Sequence, residues 1–122
     1  MKRFSLLLCY LFLLWSCSDN DDSLDSVAAC GVDNVVEDLS WLRAEIERRE
    51  ESSTEDLKYC YITIAEIEGG SFFIYRDCNP LVDKACCPIY DCAGNLQSFD
   101  KLAEVSGERI IWKTRDFACT LN

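Results

Sequence analysis

Nine cysteines in a chain of 122 residues constrain what this sequence can fold into more than any other feature. Cysteine at this density belongs to an oxidising compartment, where disulfides supplement a core too small to hold a domain by itself. The length allows one ordinary domain. With 49% apolar and 28% charged residues the chain has the balance of a globular protein, since enough hydrophobic surface is present to offset chain entropy.

The N-terminus reads as a signal peptide over residues 1–16. Lys2 and Arg3 are followed by an apolar run from Phe4 to Trp15, interrupted by Ser5 and closed by the small Ser16. Twelve helical residues reach about 18 Å, well short of the roughly 30 Å hydrocarbon core of a bilayer, so the run is too short for a permanent span. Leu14-Trp15-Ser16-Cys17 resembles the lipobox of bacterial lipoproteins, which implies cleavage before Cys17 and lipid attached to it; Trp15 is bulky for its slot.

Residues 17–28 form the expected tether. From Ser18 to Ser26 only Leu24 is apolar, so no core can form there. A run of Ser and Asp directly after the lipidated cysteine looks like the export signal of Bacteroidetes lipoproteins, which implies an outer-membrane anchor facing the cell exterior. Asp19, Asp21 and Asp22 lack the loop spacing and terminal Glu of an EF-hand, and no metal is expected on them.

Residues 29–122 are expected to fold as a small disulfide-stapled α+β domain, one N-terminal helix on a four- to five-stranded antiparallel sheet. Val35, Leu39, Leu42 and Ile46 recur at helical spacing, with Asp33 or Asn34 as cap, Glu37 placed to close a capping box, and Arg48 and Arg49 at the far end. This predicts a helix over 34–50 with Trp41 in its packed stripe. A β-hairpin follows, Leu57 to Ile67 and Ser71 to Arg76, turning on Gly69-Gly70. Pairing Ile67 with Phe72 puts Tyr59, Tyr61, Thr63, Ala65 and Ile67 on one face with Phe72, Ile74 and Arg76; the other carries Cys60, Ile62, Ile64, Phe73 and Tyr75. Both faces are apolar, and one helix covers only one. Further strands are expected at Pro88 to Cys92, at Leu96 to Phe99 after an Ala93-Gly94-Asn95 turn, and at Arg109 to Lys113.

With Cys9 lost in the leader and Cys17 lipidated, seven cysteines remain for pairing: Cys30, Cys60, Cys78, Cys86, Cys87, Cys92 and Cys119. About three bridges and one leftover thiol are expected, with connectivity open. Cys30 with Cys60 would tie helix to sheet, and Cys86 and Cys87, which point to opposite sides of an extended chain, are expected to take different partners, for which Cys78 and Cys119 are candidates. A zinc site is disfavoured because the chain has no His and no paired Cys-x-x-Cys knuckles.

The lack of His also removes the usual general base and the Ser-His and Cys-His pairs of acyl transfer, and no Gly-rich phosphate loop is present. No enzyme activity and no cofactor are expected. Removing Lys2 and Arg3 with the leader leaves ten bases against 22 acids, a net charge of −12, which argues against nucleic acid.

Ala29-Cys30-Gly31-Val32-Asp33-Asn34, then Leu39-Ser40-Trp41-Leu42, and later Ile89-Tyr90-Asp91-Cys92-Ala93-Gly94-Asn95 resemble small uncharacterised Bacteroidetes lipoproteins. Those open with Cys-Gly-Val, an Asn and Leu-Pro-Trp-Leu, and carry an Asp-Cys-x-Gly-Asn hairpin; here Ser40 stands in the Pro slot. The resemblance implies an anchored domain and brings no known activity.

Two functions are expected to compete. The first is a non-catalytic binding module for a protein or glycan that uses the spare sheet face, with Tyr59, Tyr61, Phe72, Ile74 and Arg76 as contacts; the opposing expectation covers that face with Ile110, Ile111 and Trp112. The second is an inhibitor of an extracellular hydrolase presenting the loop Asn79-Pro80-Leu81-Val82.

Overall fold

In the computed structural model, residues 24, 26–52, 55–81 and 87–120 are described. The expected signal peptide, Cys9, Cys17, most of the expected tether and Cys86 lie outside them.

A four-stranded antiparallel sheet of order β3-β2-β1-β4 is built from β1 (Cys60–Ile67), β2 (Gly70–Asp77), β3 (Ile89–Tyr90) and β4 (Ser106–Lys113). One face carries two helical pieces, α1 (Val35–Asp38) and α2 (Ser40–Glu51). The expected α+β architecture is therefore the one observed, with one main helix on the sheet. Among the described residues no helix is long and apolar enough to cross a membrane.

The helix differs from its expected form at Leu39, whose extended backbone (φ −87°, ψ 105°) separates α1 from α2. Asn34 caps α1, its side-chain oxygen accepting from the Val36 N–H at 3.1 Å, but the reciprocal bond runs from the Asn34 N–H to Asp38 rather than to Glu37. Because Ser40 is the first residue of α2, its N–H is among the donors that have no partner inside a helix. That position accepts a Pro without loss of a helical hydrogen bond.

The β1–β2 hairpin keeps the expected faces but shifts the expected register by two residues. Ile67 pairs with Gly70 and Ala65 with Phe72. The turn is the two-residue Glu68-Gly69, both at positive φ (51° and 81°), the geometry whose twist matches the flanking strands. Gly70 is thus a strand residue. Tyr59 is not one, ending a 3-10 turn at Glu55–Tyr59.

The helix side of the sheet holds the main core: Val35, Leu42 and Ile46 from the helices, Ile62, Ile64 and Phe73 from the hairpin, and Ile111 and Trp112 from β4. Ile111 and Trp112 both reach it because the β1–β4 register slips between Ile62, opposite Trp112, and Thr63, opposite Ile110. The extra residue is a β-bulge that turns two successive side chains inward. The expectation that Ile110, Ile111 and Trp112 cover the spare face is thereby corrected, since they form an edge strand of the sheet itself. The spare face is closed instead by Cys87, Ile89, Leu102 and Val105 against Ala65, Ile67, Phe72 and Ile74. Leu102 comes from a 3-10 helix, Phe99–Glu104; the return strand expected over Leu96 to Phe99 is reduced to an isolated Tyr90–Leu96 bridge and a Gln97 N–H bond to the Ile89 carbonyl. Val27, inside the expected tether, packs in the main core, so the folded part includes it.

Two disulfides join described residues, Cys30–Cys92 and Cys78–Cys119. The second joins two cysteines that were expected as partners for Cys86 and Cys87 rather than for each other. The first replaces the expected Cys30–Cys60 bridge, and the reason is the direction of α2. Its last turn, at Arg49, stacks on Tyr75 and Trp112, both partners of Ile62 near the Cys60 end of β1. Cys30 precedes the helix's first turn, so most of a helix length separates it from Cys60, and the hairpin loop at Cys92 is the neighbour within reach.

Around that bridge the resemblance motifs converge. Trp41 donates its indole N–H to the Cys92 carbonyl at 2.9 Å and packs edge-on against Phe73, ring centroids 5.3 Å apart. Its ring also lies over Gly94, where a built Cβ would come within 2.9 Å of two indole carbons. Asp91 closes the loop by accepting from the Ala93 and Asn95 backbone N–H groups, each at 2.9 Å, which holds its carboxyl below the usual range. Gly31 has a similar left-handed backbone (φ 77° against 82° at Gly94) but open space where a Cβ would stand. Gly31→Ala is therefore expected to cost about 1 kcal/mol from the backbone alone, and Gly94→Ala at least 2 kcal/mol more because the Trp41 ring must move. Denaturant midpoints of the two variants measure the difference, and equal losses would show that the Trp41 contact contributes nothing.

Candidate functional site

Of the five residues expected as a binding face, Tyr61, Phe72, Ile74 and Arg76 share one face of the hairpin, where each is partly or fully covered. Ile74 is fully buried, and Phe72 is half-covered by Leu102 and by Lys101, whose ammonium lies 5.0 Å from its ring centroid. Tyr61 is packed edge-on by Phe117, and burial raises its hydroxyl pKa. Arg76 makes a two-point pair with Glu108 at 2.8 and 2.9 Å, and Glu108 also accepts from Thr63 at 2.6 Å. Burial pushes the Glu108 carboxyl up, but these donors outweigh it and leave the pKa lowered. Tyr59 lies off the sheet, where its carbonyl accepts from the Cys78 N–H at 3.0 Å.

A cleft of about 660 Å³ opens elsewhere, where the end of α2, the 3-10 turn before β1 and the end of β4 meet. Arg49, Glu50 and Ser52 form one wall, Leu57 and Lys58 a second, and Trp112 to Asp116 the third. An adjoining hollow of about 580 Å³ shares Glu50 and the Trp112–Arg115 segment, extending to Ile111 and Phe117.

Arg49 organises this end of the molecule. It is only 7% exposed, and its guanidinium carbon sits 4.5 Å from the Tyr75 ring centroid and 5.6 Å from that of Trp112. Its Nε donates to Glu45 at 2.8 Å, while Arg48 donates to the same carboxylate; the Arg48 hydrogen bond is the main reason the Glu45 pKa falls, against an opposing push from burial. Trp112 donates its indole N–H to Glu50 at 3.2 Å. Two buried polar atoms on the cleft-lining side chains, Arg49 Nη1 and Thr114 Oγ1, have no hydrogen-bond partner among the described residues.

The cleft is also where base collects. Of the ten Lys and Arg outside the leader, Arg49, Lys58, Lys113 and Arg115 line it, against Glu50 and Asp116, so it is locally cationic on an acidic chain. Among the described residues, none of Lys58, Lys113 and Arg115 joins an ion pair; the Lys58 and Lys113 ammonium groups lie over the rings of Tyr59 and Phe117. Sequence reasoning missed these residues because three separate segments supply them. The available signal was the scarcity of bases together with the Lys113-Thr114-Arg115 run after Ile-Ile-Trp. Among the described residues no group of three or more Cys, Asp or Glu converges as a metal site would require.

Comparison with protein-family models, with curated proteins and with solved structures found no match to this chain.

Tyr75, stacked on Arg49 beside the cleft, has its hydroxyl pushed up to about 12, first by burial and then by the Glu45 carboxylate. The folded state therefore holds a proton that the unfolded chain releases from about pH 10. The resulting stabilisation is fully present below pH 10 and lost as pH rises toward about 12. Phenolate absorbance during a rapid alkaline jump should show Tyr75 ionising last, identified by its absence in Tyr75→Phe; ionisation near pH 10 would show that the Arg49–Tyr75 stack is open to water.

Proposed function

We propose that this chain is a lipid-anchored envelope lipoprotein whose domain is a non-catalytic binding module, with the cleft beside Arg49 as its contact site. The observation that carries the reading is that cleft, where a buried cation stacks on two aromatic rings and two buried polar atoms, one on Arg49 and one on Thr114, lack partners among the described residues. Preformed concave sites with a few convergent polar groups are the usual form of a ligand pocket. Bridged cysteines support an oxidising, extracytoplasmic location. The leader, the Leu14-Trp15-Ser16-Cys17 lipobox resemblance and the acidic tether support anchoring through Cys17 at the outer membrane, and the motifs shared with small Bacteroidetes lipoproteins support the same class. The partner is a protein, glycan or small solute in the envelope space, not nucleic acid.

Acyl chains are buried at about 0.8 kcal/mol per CH₂, so several chains on Cys17 hold firmly, while an acidic domain is repelled by anionic surfaces. Cys17→Ala should release a folded, processed protein from membranes in high-salt fractionation. Processed protein that still sediments would show that Cys17 is not the anchor.

One observation favours the inhibitor as a second reading. Leu81 is 92% exposed beside a turn in which Asp77 accepts from the Asn79 N–H at 2.8 Å and Asn79 from the Leu81 N–H at 3.0 Å, next to the Cys78–Cys119 bridge. An apolar side chain held out on a stapled turn loses little entropy on docking. An inhibitor would slow one or more members of a panel of extracellular proteases, and Leu81→Asp would abolish that inhibition; a panel left unaffected by the intact protein removes this reading.

A further inference from the structure

Resting on the reading of the cleft as a binding site, we infer that its ligand carries an anionic oxygen group, a carboxylate or phosphate, that takes hydrogen bonds from Arg49 and Thr114. Both side chains line the cleft, and each holds a buried polar atom without a partner among the described residues. A buried guanidinium N–H left unpaired is costly, because desolvation is not repaid by a hydrogen bond. Arg49 is already held at its Nε by Glu45 and over the rings of Tyr75 and Trp112, so the fold fixes it in place while its buried Nη1 has no hydrogen-bond partner among the described residues. Charge points the same way. Lys58, Lys113 and Arg115 stand around the opening without ion-pair partners among the described residues, on a chain of net charge −10. Glu50 is occupied by the Trp112 indole and Asp116 is the other acid on the cleft, so the lining keeps a positive excess. Guanidinium and ammonium groups with a hydroxyl beside them make charge-assisted bonds to carboxylate or phosphate oxygens, and a neutral or cationic ligand would leave that excess uncompensated.

The test uses the full chain in detergent with its disulfides intact and follows the Trp112 indole and Arg49 Nε resonances by NMR. Inorganic phosphate, succinate, a neutral oligosaccharide and putrescine are titrated separately at ionic strength matched with chloride. The expected result is a saturable shift of both resonances with phosphate or succinate, the stronger of the two naming the source of the oxygen group. The double variant Lys113→Ala/Arg115→Ala, at exposed positions that leave the core untouched, should weaken that binding at least tenfold. Thr114→Val should weaken it less, with its fold checked by the same spectrum. Saturable shifts with the oligosaccharide or putrescine alone would overturn the anion inference and leave a binding cleft standing. Anion shifts unchanged in the double variant would place the anion elsewhere and also overturn it. No saturable shift with any probe up to tens of millimolar would overturn the inference together with the cleft's role as the binding site.

Discussion

The clamp formed by the Cys30–Cys92 bridge and the Trp41 ring over Gly94 sets the rest of the structure. It joins the chain entering the helix to the loop after β3, two segments 62 residues apart, and so decides which end of the sheet the helix starts from. A bridge of this kind typically contributes about 2 to 4 kcal/mol, chiefly by restricting the unfolded chain. Trp41 adds direction, since its indole N–H can reach the Cys92 carbonyl in one orientation of the ring. Once the helix starts there, twelve residues of α2 carry Arg49 to the opposite end, onto Tyr75 and Trp112. The clamp and the cleft are the two ends of one rod.

That arrangement explains why the motif residues and the cleft residues differ. Cys30, Gly31, Trp41, Asp91, Cys92 and Gly94 each do structural work at the clamp: a bridge, a tight turn, a ring contact or a loop-closing acceptor. The cleft instead draws its bases and its hydroxyl from three separate segments.

Periodicity made the helix and the hairpin faces legible, because residue spacing alone decides which side of an element is apolar. It could not find the break at Leu39, which leaves the apolar stripe intact, nor the two-residue register shift, which leaves every side chain on its own face. Glu68 shows why the turn was misplaced: Gly69-Gly70 looks like the turn, yet the chain puts a non-glycine residue at positive φ and keeps Gly70 in the strand. Neither bridge was legible: Cys78 and Cys119 stood as partners for Cys86 and Cys87, and Cys30–Cys92 needed the direction of the helix, a tertiary fact. The cleft was invisible for the same reason, since Arg49, Lys58 and Thr114 become neighbours only when the sheet closes.

Strand order gives the chain a particular folding history. β1 pairs with β2 at once through a two-residue turn, but its other edge is filled by β4, which ends at Lys113. Until those last residues arrive, β1 is apolar on both sides with an unpaired edge, the kind of template that recruits other chains. A polypeptide made from its N-terminus passes through that state before β4 is available to pair. The finished edge, β4, is by contrast interrupted by its bulge and studded with Glu108, Arg109 and Lys113. The molecule is at its most adhesive just before it is complete, and its last strand makes it safe.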